Sequence, residues 1–131
     1  MTRIRVLIVD DNADVRLTLP PALEAVDDRL EARAVRDYWA ALDVLPRWAP
    51  DVVLLDLVMP RSDGSGSTGG MQLLLALQRF RPLLAVVVHT GKSDDQTRRM
   101  AMLAGARAFV PKPTAPTDLA QIIRRAVPQL S

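Results

Sequence analysis

Cysteine is absent from the 131 residues, so the chain has no thiol nucleophile, no thiolate metal ligand and no disulfide framework. That fits a reducing compartment. Histidine occurs once, at His89, with no second imidazole to help it hold a metal or relay a proton. Lysine occurs only at Lys92 and Lys112, and the other fifteen of the 17 basic residues are arginines. They stand against 15 acidic residues and are mixed with them along the chain, which describes a solvated surface rather than a nucleic-acid face. The aromatics Tyr38, Trp39, Trp48, Phe80 and Phe109 are scattered, so no stacking platform for single strands is apparent. No apolar run approaches the length of a membrane span, and Met1 to Asp11 has no signal-peptide core. A cytoplasmic protein with no direct membrane or nucleic-acid partner is the expectation.

What is present is an alternation of short apolar runs and helical stretches. Ile4 to Val9, Val52 to Leu55, Leu84 to Val88 and Ala108 to Val110 are nearly continuous apolar runs, and Leu30 to Val35 is a weaker one. Strands apolar on both faces are buried on both faces, as in a parallel sheet covered by helices. Helices are expected over Ala13–Val26, Tyr38–Leu45, Met71–Phe80, Asp94–Ala104 and Thr117 to about Val127. Asp37 is an N-cap, Gly105 a C-terminal glycine, and Pro46 and Pro128 are expected stops. Pro20-Pro21 should kink or interrupt the first helix. Arg61 to Gly70, with four glycines and three serines, reads as a flexible loop. Five strand–helix units with right-handed crossovers give a doubly wound, five-stranded parallel α/β sheet in a single domain spanning 1–131.

Four strands end in distinctive polar residues: Asp10-Asp11, Asp56, Thr90 and Lys112. In open α/β sheets the carboxyl ends of the strands border the ligand crevice, so these side chains converge. Three carboxylates in one cleft repel one another and need a cation. Oxygen donors with room for water suit Mg²⁺. Lys112 adds a compact positive charge and Thr90 a hydroxyl donor. Such a site suits phosphoryl transfer onto a carboxylate, with Asp56 as nucleophile because it ends a central strand. Taken singly, each residue has a plainer reading: Asp10 or Asp11 caps a helix, Asp56 sits in a turn, Thr90 starts a helix and Lys112 is solvated. Their joint placement at neighbouring strand ends decides against those readings.

Leu7-Ile8-Val9-Asp10-Asp11-Asn12, Asp56-Leu57-Val58-Met59-Pro60, Thr90-Gly91 and Lys112-Pro113 together resemble the CheY-like receiver domain of two-component response regulators, over about residues 4 to 127. The resemblance implies a flavodoxin-like (βα)5 fold with strand order 2-1-3-4-5. It implies that Asp56 accepts phosphate from a histidine kinase or histidine phosphotransfer protein, and that the chain is not an enzyme beyond this autocatalysed transfer to and from its own aspartate. Asp11, Asp56 and the backbone carbonyl of Val58 would ligate Mg²⁺, with Asp10 acting through water. Lys112 would pair with Asp56 and then with the phosphoryl group. Thr90 and Phe109 would form the switch, and Lys112-Pro113 would be cis. The fourth and fifth helices and the fifth strand (α4-β5-α5) would carry the signal to an unidentified output partner, or to a second copy in a homodimer.

The sequence departs from that family in three ways. Asp56 and Thr90 are 34 residues apart, a surplus that falls in the Gly/Ser loop. His89 stands where an apolar residue is usual, and Phe109 lacks a hydroxyl. No output domain is read in these 131 residues. A fragment of a larger DNA-binding regulator or hybrid kinase is the alternative. A haloacid-dehalogenase-like phosphatase fits less well, because Asn12 and Val58 stand where its second aspartate would. Val58 and Lys92, two residues beyond Asp56 and Thr90, flank the approach of a hydrolytic water. Neither can accept its proton, so a long-lived phosphorylated state is expected.

Overall fold

A computed structural model describes residues 2–127. The chain order is β1 (Ile4–Val9), α1 (Ala13–Val26), β2 (Leu30–Val35), α2 (Tyr38–Trp48), β3 (Val52–Leu55), α3 (Gly69–Phe80), β4 (Ala85–Thr90), α4 (Asp95–Leu103), β5 (Ala108–Pro111) and α5 (Pro116–Ala126). The strands form one parallel sheet in the order β2-β1-β3-β4-β5. The strand–helix alternation implied such a doubly wound parallel sheet, and the resemblance implied this flavodoxin-like strand order.

Alternate side chains of each central strand enter different cores, so strands with no polar face are needed. Leu7, Val9, Val53, Leu55, Val86 and Val88 meet Leu45, Leu73, Leu74 and Leu77 of α2 and α3 on one side. Val6, Ile8, Val52, Leu54, Ala85 and Val87 meet Leu19, Leu23, Leu119 and Ile123 of α1 and α5 on the other. Each of the valine, leucine and isoleucine side chains among them, fully buried, contributes about 1.5–3 kcal/mol.

The interior prolines do not end their helices. Helix α1 runs unbroken through Pro20 and Pro21. The carbonyls deprived of a helical donor are those of Arg16 and Leu17, and Leu17 is 75% exposed, so water can replace the missing N–H where the helix turns outward. Helix α2 passes the expected stop at Pro46 and continues to Trp48. Pro46 is exposed, whereas Trp48 is buried, with the guanidiniums of Arg33 and Arg5 at 4.8 and 5.6 Å from its ring centroid. Burying that indole outweighs one lost backbone bond. Asp94 caps α4, accepting from the N–H of Thr97, and Gly105 beyond its end has φ +106°. The expected stop at Pro128 lies outside the described residues. Among the described residues no helix is long and apolar enough to cross a membrane.

The residue preceding Thr90 is the one polar side chain in the body of β4. His89 is 7% exposed, and its Nε2 has no hydrogen-bond partner among the described residues. Burial, and then the nearby Lys112 charge, push its pKa down to about 4 against partial opposition from Asp10 and Asp56. The folded state therefore favours neutral His89, and this contribution to stability is present above pH 6.5 and is lost as pH falls from 6.5 towards 4. Relative to a His89→Leu variant, the wild type should lose about 2 kcal/mol of unfolding free energy between pH 7 and pH 4.5, read from urea melts at both values. Parallel pH dependence of the two proteins would contradict this.

Candidate functional site

The sheet register lines up the chemistry. Val9 pairs with Leu55, and Leu55 with Val88, so Asp10, Asp56 and His89 each stand one residue beyond a registered row. The N–H of Asp56 donates to Val9 O at 3.0 Å and that of Lys112 to Thr90 O at 2.9 Å, which extends the ladder into the site. One carboxylate oxygen from each of Asp10, Asp11 and Asp56 lies within 4.8 Å of the others. Asp10 and Asp56 are buried, at 2% and 8% exposure, while Asp11 is open to solvent.

Lys112 reaches across the sheet to both buried acids. Its Nζ donates to Asp10 Oδ2 at 2.6 Å and to Asp56 Oδ2 at 3.1 Å. Burial alone would depress the ammonium's pKa, but the hydrogen bonds to Asp10 and Asp56 together with their negative charges outweigh burial and hold it above the ordinary lysine value. The remaining oxygens are held locally. Asp10 Oδ1 accepts from the N–H of Asn12 at 2.9 Å, and Asp56 Oδ1 from that of Val58 at 3.1 Å. Asp11 feels burial first, then the charges of Asp10 and Asp56, and its pKa is raised. Three carboxylates against one ammonium leave a formal surplus of two negative charges, matched by one divalent cation.

The loop after Asp56 is shaped by two glycines that open α3. The N–H of Gly70 donates to Leu57 O at 3.1 Å and that of Gly69 to Met59 O at 2.8 Å. A Cβ on Gly69 would lie 1.8 Å from Pro60 O, and one on Gly70 would lie 2.2 Å from Asp56 O. Only glycine allows the helix to approach the backbone beside Asp56 so closely. Helix α3 thus begins two residues earlier than the periodicity indicated. The carbonyl between the two engaged ones, Val58 O, has no hydrogen-bond partner among the described residues. An oxygen-only set of three carboxylates and one free carbonyl, with solvent access at Asp11, fits the donor chemistry of Mg²⁺.

Thr90 is fully buried at the end of β4, and its hydroxyl accepts from the N–H of Lys92 at 3.3 Å. No hydrogen bond joins it to Asp56 among the described residues. Phe109 is half-buried, pairs with Val88 in register and lies 6.0 Å from the Arg98 guanidinium of α4. Lys112-Pro113 is cis. The contact of Lys112 with Asp10, the roles of Gly69 and Gly70, and the Arg16 Nη1 bond to Asp10 O at 3.1 Å were not read from the sequence. The doubled glycine closing the Gly/Ser stretch was the only local sign of the second.

Comparison with known proteins agrees with this geometry. The response regulator receiver domain model matches residues 6–124. The protein-glutamate methylesterase/protein-glutamine glutaminase of Escherichia coli strain K12 is 37% identical over 115 residues, 86% of this chain and 31% of that protein. Its counterpart in Yersinia pestis gives the same figures. The chain therefore spans about a third of these curated relatives. A receiver domain from Clostridium thermocellum superposes with TM-score 0.80 at 26% identity, covering 94% of this chain and 93% of that one. NtrX from Brucella abortus, solved with ADP, gives 0.77 at 28% identity, covering 95% of this chain and 26% of that one. With the family model covering most of its length and the acid cluster at the ends of its central strands, the chain belongs to the response regulator receiver domains of two-component systems.

Proposed function

We propose that the chain is a phosphorylation-dependent switch in which Asp56 accepts a phosphoryl group from a histidine kinase or histidine phosphotransfer protein. The observation that carries the reading is the convergence of Asp10, Asp11 and Asp56 with Lys112 bridging two of them. A carboxylate oxygen of Asp56 attacks phosphorus, the bond from phosphorus to the donor's imidazole nitrogen breaks, and the donor leaves with that electron pair. Asp11, Asp56 and the Val58 carbonyl would hold Mg²⁺ directly in this reading, and Asp10 would hold it through water. A bound ion would supply positive charge to the phosphoryl oxygens in the loose transition state. Lys112 exchanges part of its contact with Asp56 for a phosphoryl oxygen, while its bond to Asp10 keeps the ammonium in place.

Output is assigned to the α4-β5-α5 face. Thr90 hydrogen-bonds the phosphoryl group, and Phe109, beneath Arg98, moves with it, biasing a two-state equilibrium. Either an output partner or a second copy of the chain docks there. Arg107 and Arg124 have structural work on this side: Arg107 donates to the carbonyls of Ala126 and Leu83, and Arg124 pairs with Asp27 at 3.4 Å.

Incubation with acetyl phosphate and Mg²⁺ should add one phosphoryl group, seen by mass spectrometry, and Asp56→Asn should abolish it. Equal labelling of that variant would remove Asp56 from the role. Calorimetry should show Asp11→Ala weakening Mg²⁺ more than Asp10→Ala, since Asp10 is assigned a water-mediated contact; the opposite order would reverse the two roles.

Val58 is 41% exposed, Lys92 is exposed, and both line a cleft of about 450 Å³ with Leu57, Met71, Leu75 and Met100. An apolar side chain and a cation cannot take a proton from an attacking water. The phosphorylated state should therefore be long-lived. Replacing Val58 with Asn and Lys92 with Glu should speed phosphate loss by about tenfold or more, measured as decay of the labelled protein. A double variant no faster than the parent would show that water positioning here does not set the rate.

A further inference from the structure

The Gly/Ser loop is not a loose tether. Its neck is closed by the paired Met59 and Thr68 and by the bond from Met59 N–H to Ser67 O at 3.3 Å. From Arg61 to Thr68 every residue is exposed except Ser62, which is half-buried. Three polar groups of Ser62 are engaged by two different helices. Its N–H donates to Gln72 Oε1 at 2.8 Å, and its hydroxyl accepts from Gln72 Nε2 at 2.7 Å. Its carbonyl accepts from Trp39 Nε1 at 2.7 Å. Trp39 is 61% exposed, so burial does not explain the placement of its indole, and Tyr38 meets it edge-on at 5.1 Å.

The clasp is four residues from Val58, and the segment between includes buried Met59 and conformationally restricted Pro60. On either side of Val58 the Leu57 and Met59 carbonyls are held by Gly70 and Gly69, and Ser62 fastens the far end of the segment that follows. A carbonyl without a partner is thus suspended between two fixed points. We propose that Gln72 and Trp39 are positioning residues: acting through Ser62, they hold the Val58 carbonyl in reach of a cation at Asp10, Asp11 and Asp56, so that metal binding is felt at Trp39 on α2. This rests on the reading of that acid cluster as a Mg²⁺ site. Coupling between sites is reciprocal, so a clasp that tightens on metal binding must, when opened, weaken the metal by the same factor.

The test uses the whole chain labelled with ¹⁵N and titrated with Mg²⁺. Trp39→Phe identifies which of the two indole N–H signals belongs to Trp39. In the wild type that signal should move along the same titration curve as the amides around Asp11, and Asp11→Asn should abolish the movement. Gln72→Ala should raise the Mg²⁺ dissociation constant about threefold to tenfold and remove most of the indole shift. Trp39→Phe, which keeps an exposed aromatic ring but loses the five-membered ring and its N–H, should raise the constant in the same direction. Ser62→Ala should change it little, because both backbone bonds of the clasp remain. A wild type that binds no Mg²⁺ would overturn the metal reading and the clasp with it. A wild type that binds Mg²⁺ with a stationary Trp39 signal, and Gln72→Ala and Trp39→Phe variants that bind as tightly, would overturn the clasp alone.

Discussion

Two buried carboxylates from different strands lie close together, and the ammonium of Lys112 holds them there. Lys112 is 102 residues from Asp10 in the chain and within hydrogen-bond distance of both Asp10 and Asp56. Burying an ion costs several kcal/mol unless a partner with good geometry offsets it, and two neighbouring anions add repulsion to that cost. Lys112 offsets part of both, and the N–H groups of Asn12 and Val58 hold the outer oxygens. One of the two surplus negative charges lies on the solvent side, at Asp11, where a hydrated cation can enter.

This charge arrangement requires a rigid sheet. Parallel strands with aliphatic side chains on both faces hold β1, β3 and β4 in one register, and their ends therefore form a row rather than a scatter. The helices pack against both faces, and the two helices with interior prolines stay whole because their buried residues, Leu19 and Leu23 in α1 and Trp48 in α2, gain more from packing than the missing backbone bonds cost. The histidine in β4 is the exception to the aliphatic pattern. It is kept neutral by burial and by the neighbouring ammonium.

Helix α3 joins the scaffold to the site. Its first two residues lack side chains, so its N-terminal N–H groups come against the backbone after Asp56 and take the carbonyls on either side of Val58. The long loop that precedes it is fastened back at Ser62. In this way an insertion beside the acid cluster is accommodated without displacing it.

The strand ends were legible in the sequence because a parallel strand buried on both faces must be an apolar run, and the residue that follows it must meet solvent or a ligand. Asp10, Asp11, Asp56, Thr90 and Lys112 stand out on that ground together with the strand–helix alternation. Strand order and register, which decide that Lys112 touches Asp10 as well as Asp56, come from interactions between segments tens of residues apart and leave no local pattern. The same holds for Pro20, Pro21 and Pro46, whose intrinsic preference is to end helices: tertiary burial of the residues beyond them reverses it. The loop shows the limit most plainly. Glycine and serine in sequence signify only freedom of the chain, whereas Gln72 and Trp39, from two other elements, fasten it at Ser62.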